Sequence, residues 1–280
     1  PIGSLSIINY LRKHGFNVEE NLEFYNIDAN RPTYEDALDH IVSVKPDILG
    51  VSAVVSTAYA YTKRLTTDVK SRLPETLIVV GGNLAASAEI LLKRTGTDLC
   101  VLGEGEKVFL NIVNRAKDSL DLTQFTEIPG IVLLGTDGHL INTGYEKNLR
   151  REEVYDIKWE DLARSTDLNW FIYPMLDENN NIRRHNFRRD PRVRESHRRA
   201  KQYAHLSDGK GCIAHCTFCH RWDKGMRYIP VELYMDRLDY LIEHHNVGFV
   251  SVTNENFGSV RKWVVEFCEA IKKRNVSWSV

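Results

Sequence analysis

The feature that most constrains this chain is an alternation. Over roughly the first 120 residues, β-rich apolar runs are interleaved with amphipathic stretches. The runs at 22–27, 48–53, 77–80 and 99–102 read as strands, and those near 4–14, 34–44, 57–72, 86–94 and 106–118 as helices. Continuous apolar strands suit a parallel sheet covered by helices on both faces, so an α/β fold is expected. A second alternation begins at Tyr203. A short strand leads into a cysteine-bearing loop, followed by a helix at 231–245, a strand at 249–253, a helix at 259–273 and a terminal strand at 276–280. That βαβαβ order is the opening of a barrel or an open sheet.

Between the two patterns the periodicity weakens. Residues 126–144 read as a β-hairpin around the turn Gly135-Thr-Asp-Gly138. The stretch 145–203 reads as a connector dense in arginine, with Arg183, Arg184, Arg188, Arg189, Arg192, Arg194, Arg198 and Arg199. The expected domains are therefore 1–125, a hairpin and connector at 126–203, and the start of a second domain at 204–280. The chain opens on Pro1 and closes in the middle of its repeating pattern, so a longer protein is expected, with a first strand upstream.

A net charge of −1 gives no general attraction to nucleic acid or to an anionic membrane surface. No apolar run approaches the roughly 20 residues that span a bilayer, and no secretory leader is evident. The expected location is the cytoplasm. Three of the five cysteines fall within eight residues, which does not look like a disulfide framework and fits a reducing compartment. Cys100 and Cys268 sit in apolar surroundings and read as small buried hydrophobes.

The remaining three lie in Gly209-Lys-Gly-Cys-Ile-Ala-His-Cys-Thr-Phe-Cys-His220. The spacing Cys212-x3-Cys216-x2-Cys219 lets one loop curl around a cubane iron–sulfur cluster. Three nearby thiolates leave the fourth iron without a protein ligand, an arrangement suited to catalysis. A structural zinc site is the alternative, with His215 or His220 completing a Cys₃His set.

This loop resembles that of the radical S-adenosylmethionine superfamily in spacing, in the aromatic Phe218 before the last cysteine, and in its strand–loop–helix context. The resemblance implies a [4Fe–4S] cluster on Cys212, Cys216 and Cys219, and S-adenosylmethionine chelated to the open iron and cleaved to a 5′-deoxyadenosyl radical. It also implies an external electron donor such as flavodoxin or ferredoxin. Phe218 at the matching position would pack near the adenine. Residues 226–233 resemble the family's entry to the first barrel helix. Residues 250–257 resemble its strand ending in Asp-Asp/Glu-x-Phe, so that Glu255 would contact S-adenosylmethionine, while Asn254 departs from the usual acid.

In an open parallel sheet, ligands bind at the carboxyl ends of the strands. There the first domain offers Ser52, Gly81, Gly82, Asn83, Gly103 and Glu104. Alone, each is a weak signal, since strand-to-helix turns use glycine anyway. Together with Pro1-x-Gly3, His14-Gly15 and the Gly-Glu-Gly-Glu box at 103–106, they resemble the cobalamin-binding domain that precedes many radical S-adenosylmethionine barrels. The Asp-x-His-x-x-Gly cobalt-ligating motif is absent: Asp28, Asn30 and Thr33 stand in its place. The resemblance then implies cobalamin bound base-off, with no histidine ligand from this domain. FMN on a flavodoxin-like fold is the runner-up.

The expected fold is thus a Rossmann-like (flavodoxin-like) cobalamin-binding domain followed by the start of a radical S-adenosylmethionine partial (β/α) barrel. The implied activity is cobalamin-dependent methyl transfer to an unactivated carbon of a small molecule. Two alternatives stand beside it: a non-methylating radical enzyme that cyclises or rearranges its substrate, and a zinc-stabilised interaction protein. The arginines could clamp an anionic substrate or form a solvated linker. With no aromatic interleaving and no RNA module, nothing favours nucleic acid.

Overall fold

The computed structural model describes residues 1–54, 56–183, 190–217, 219, 225–254 and 256–280. By internal contacts the chain divides into Pro1–Leu149 with Asp156–Ser165, and Arg150–Tyr155 with Thr166–Val280.

The first unit opens with α1 (Ile2–Lys13), two single-turn helices α2 (Val18–Asn21) and α3 (Ile27–Asn30), and α4 (Tyr34–Val44). There follow β1 (Ile48–Ser52), α5 (Tyr59–Arg72), β2 (Leu77–Gly81), α6 (Ala88–Arg94), β3 (Leu99–Val101), α7 (Gly105–Ala116), β4 (Ile131–Leu134), β5 (Leu140–Asn142) and α8 (Trp159–Ser165). The sheet order is β1-β2-β3-β4-β5. The first three strands are parallel, in the register Val79↔Leu99 and Val51↔Val80, while β4 and β5 join antiparallel. Side-chain alternation splits the core into layers. Leu77, Val79, Leu99, Val101, Ile131 and Leu133 pack on Val108 and Ile112 of α7. On the other face, Val80, Cys100 and Val132 meet Leu91 and Leu92 of α6, and Ile78 meets Leu65 and Val69 of α5. Both faces are covered, which is why the strands read as unbroken apolar runs.

Two sequence expectations change here. The run 22–27 forms no strand. The Asn26 side chain accepts from the Ala29 N–H at 3.3 Å and starts α3, and the Tyr25 ring lies 4.4 Å from that of His40 on α4. A local cap and an aromatic contact replace a sheet partner. The hairpin at 126–144 belongs to the first sheet, through Cys100↔Val132.

The second unit contains β6 (Tyr173–Pro174), β7 (Gln202–Ser207), β8 (Gly209–Cys212), β9 (Gly225–Tyr228), α9 (Val231–His245), β10 (Val247–Thr253), α10 (Arg261–Ile271) and β11 (Ser277–Ser279). Its main sheet runs β11-β10-β7-β6; β7, β10 and β11 are parallel and β6 is antiparallel. Tyr203 and Phe249 pack on Tyr173, Met175 and Val193. On the helix side the Phe267 ring lies 5.2 Å from Trp278 and 5.4 Å from Tyr234. Strands β8 and β9 form a separate antiparallel ribbon. Among the described residues, no helix is long and apolar enough to cross a membrane.

Candidate functional site

In the first unit the carboxyl ends of β1, β2 and β3 form an edge built chiefly from backbone. Ser52, Gly82 and Asn83 are exposed there, and Gly81 and Gly103 are partly so. Gly82 has φ +82°, and a Cβ placed on it would lie 2.5 Å from the Ala53 carbonyl oxygen. That approach is needed because Ala53 N–H donates to the Gly81 carbonyl at 3.0 Å and Leu84 N–H to the Ala53 carbonyl at 3.1 Å. The turns after β1 and β2 are thereby laced together, and only glycine fits. Gly103, at φ +82°, turns the chain after β3. The result is a shelf of small residues on which a flat macrocycle can approach the backbone, so these residues fit a corrin.

Two neighbouring residues are committed elsewhere. Glu104 is buried, and its Oε2 accepts from the Leu149 N–H at 2.6 Å. Asn30, in place of a cobalt-ligating histidine, donates to the Ser165 carbonyl at 2.7 Å. The Cys100 thiol is fully buried in β3, and burial pushes its ionisation up to about 12. It is inert packing, as its apolar context indicated. Cys268 is half-buried.

In the second unit, the ribbon of β8 and β9 carries the cysteine loop between Cys212 and its register partner Gly225. Gly209 is required at its base: a Cβ there would fall 2.6 Å from the Arg227 carbonyl oxygen. Cys212 is half-buried, whereas Cys216 and Cys219 are exposed. The Ala214 N–H points at Cys212 Sγ from 3.4 Å, and the Cys219 N–H donates to the Cys216 carbonyl at 3.1 Å. The amide contact reaches one of the three sulfurs, and three cysteines within eight residues of one loop are the donor type and spacing that an iron–sulfur cluster takes. Among the described residues, no three His, Cys, Asp or Glu side chains are gathered as a metal set. Phe218, His220 and Glu255 lie outside the described residues.

Sequence reasoning misses the polar contacts at the carboxyl ends of β7 and β10. Ser207 Oγ and Thr253 Oγ1 are 2.9 Å apart. Asp208, fully buried, accepts from Asn254 Nδ2, and Asn254 Oδ1 accepts from the Asn256 N–H at 2.6 Å. Burial pushes the Asp208 carboxyl up to about 6, against the opposing pull of the Asn254 bond. The available signal was an aspartate at a strand end with no lysine or arginine within a residue of it. Of the connector's arginines, Arg192 grips Asp190 at 2.7 Å, and buried Arg198 reaches Glu195 at 3.1 Å and Asn275 at 2.8 Å. Arg184, Arg188 and Arg189 lie outside the described residues.

Residues 1–113 match the B12 binding domain family. Across 98% of its length the chain is 25% identical to an anaerobic magnesium-protoporphyrin IX monomethyl ester cyclase of Rubrivivax gelatinosus, covering 45% of that protein. It is 22% identical to the cytidylyl-2-hydroxyethylphosphonate methyltransferase of Streptomyces wedmorensis, across 100% of this chain and 55% of that protein. The fold superposes on the cobalamin-dependent S-adenosylmethionine radical enzyme OxsB, in its structure with aqua-cobalamin and S-adenosylmethionine bound. There the TM-score is 0.72 at 20% identity, covering 99% of this chain and 35% of OxsB. The chain spans about half the length of the curated relatives it matches. The fold is the expected one, a Rossmann-like B12-binding unit followed by the opening strands of a partial (β/α) barrel.

Proposed function

We propose, for a chain that carries a B12-binding domain and is a relative of cobalamin-dependent radical S-adenosylmethionine enzymes, that it holds a [4Fe–4S] cluster on Cys212, Cys216 and Cys219 and acts by radical chemistry on an unactivated carbon of a small molecule. The observation that carries this reading is the cysteine ribbon, rooted at the carboxyl end of β7 beside the turn after β10. When bound, the cluster supplies the electron that cleaves S-adenosylmethionine, and the corrin carries a methyl group. The chain's own share is placement. The ribbon closes the cysteine loop at its base, the strand-end turn supplies the facing wall, and Ser52, Gly82 and Asn83 present the corrin shelf. An external electron donor is part of this reading, as is a substrate with an anionic group for the connector's arginines.

Methyl transfer is the first outcome, since a methyl carrier and a radical source on one chain are what it requires. Ring formation is the second, favoured by the relative named as a cyclase. Anaerobic purification of the full-length protein, reconstituted with iron, sulfide and hydroxocobalamin, tests the common part. About four irons with labile sulfide, and one cobalt per chain, are expected. Zinc without sulfide would instead make this a zinc-stabilised interaction protein. With substrate, methyl transfer yields S-adenosylhomocysteine beside 5′-deoxyadenosine, whereas ring formation yields 5′-deoxyadenosine alone.

A further inference from the structure

Asp208 sits between β7 and β8 and is 0% exposed. Among the described residues it has no ion-pair partner, and its Oδ2 has no hydrogen-bond partner. An asparagine at 208 would accept the same bond from Asn254 without the cost of burying a charge, so packing alone does not call for a carboxylate.

What the carboxylate adds is direction. An ionised carboxylate only accepts, so the Asn254 amide must turn its Nδ2 toward Asp208 and its Oδ1 toward the Asn256 N–H. A neutral amide at 208 accepts or donates and permits either orientation. The same residue is tied to the cysteine ribbon, because the Asp208 carbonyl accepts from the Ile229 N–H at 2.8 Å. A second tie runs in parallel: the Tyr228 hydroxyl, on β9, donates to the Asn256 carbonyl at 2.8 Å. The titratable group facing Asp208 from α9 is Tyr234, whose buried hydroxyl also lacks a partner and is held neutral by burial and by the carboxylate. Asn254, facing it from the end of β10, carries no charge.

We propose that Asp208 is a positioning residue: through the Asn254 amide it holds the turn after β10 at a fixed spacing from the ribbon that carries Cys212, Cys216 and Cys219, and so sets how tightly S-adenosylmethionine is bound between them. This rests on the functional reading above for its ligand, while the tie itself belongs to the metal-free chain.

The test uses full-length protein, metal-free and reconstituted, in three forms: wild type, Asn254→Asp, and the swap Asp208→Asn/Asn254→Asp. Asn254→Asp sets two carboxylates face to face in a buried site, and ionising both at alkaline pH drives them apart. In the metal-free chain at pH 8, protection of the Asn256 amide against hydrogen exchange should fall roughly ten- to hundredfold. It should recover at mildly acidic pH, where one proton is shared. The swap keeps both hydrogen bonds with the donor on the opposite side, so protection should match wild type at both pH values. In the reconstituted protein the Kd for S-adenosylmethionine should follow the same order. The proposal is overturned if Asn254→Asp is protected like wild type at pH 8, or if neither acid nor the swap restores it. It is also overturned if protection follows the pattern while the Kd does not change. A wild type that binds no S-adenosylmethionine at all overturns the functional reading and the ligand named here, a result separable from failure of the tie because exchange is read without metal.

Discussion

The two carboxyl edges of this molecule solve one problem with different materials. In the first unit the edge is shaped by backbone: Gly82 at φ +82° lets the turns after β1 and β2 bond each other, and exposed Ser52 and Asn83 complete an open shelf. In the second unit the edge is held by side chains, through Ser207 with Thr253, Asp208 with Asn254, and Tyr228 with Asn256. A backbone-built edge tolerates changes of side chain but no added Cβ at its crossing point. A side-chain-built edge tolerates backbone adjustment but no change in donor and acceptor sense.

The largest expected effect breaks the second edge at its chemistry. Cys212→Ala, Cys216→Ala and Cys219→Ala should each abolish S-adenosylmethionine cleavage, read as loss of 5′-deoxyadenosine. Cobalt content should not change. The converse is Gly82→Ala. Backbone strain of about 1–3 kcal/mol adds to a Cβ 2.5 Å from a carbonyl oxygen. Thermal melts should show a drop of several degrees, and cobalamin should be lost while iron is kept.

A third test separates charge from shape at Asp208. Its folded ionisation is raised to about 6 from the ordinary 3.8. The folded state therefore retains a proton that the unfolded chain releases, and the group's contribution to stability is lost as pH rises from about 4 to about 6. Against Asp208→Asn, wild type should lose about 2 kcal/mol across that window and then run parallel above it, read from urea midpoints. A flat difference would show that the carboxylate is not desolvated. The smallest effect is a control on both edges. Cys268→Ala, on the half-buried face of α10, should shift stability by about 0.5 kcal/mol or less and leave both cofactor contents unchanged.

What the sequence made legible was local. The spacing of apolar residues predicted helices at 34–44 and 231–245, and both form over those spans, because a helix is specified by neighbours three and four apart. The short strand that starts near Tyr203 and leads toward the cysteine loop was equally readable, and it forms as β7. Contacts between distant residues stayed hidden. Strand β9 escaped notice because its partner β8 lies across the cysteine loop. Nothing near Glu104 announced that its carboxylate would hold the Leu149 N–H, 45 residues on. Asp208 and Asn254 are 46 residues apart, and only the parallel register of β7 with β10 brings them together. At 22–27 an apolar run argued for a strand, and the Asn26 cap prevailed.

The ribbon that closes the cysteine loop bears on the order in which the protein is assembled. In small zinc domains the metal folds the chain, because nothing else brings the ligands together. Here four residue pairs of backbone ladder, from Gly209↔Tyr228 to Cys212↔Gly225, meet the loop-closure entropy before any metal arrives. A cluster held as proposed on Cys212, Cys216 and Cys219 would then be a late guest in a finished frame. It would be delivered to folded protein, and its loss should be recorded in the absorption spectrum well before it registers in the melting curve.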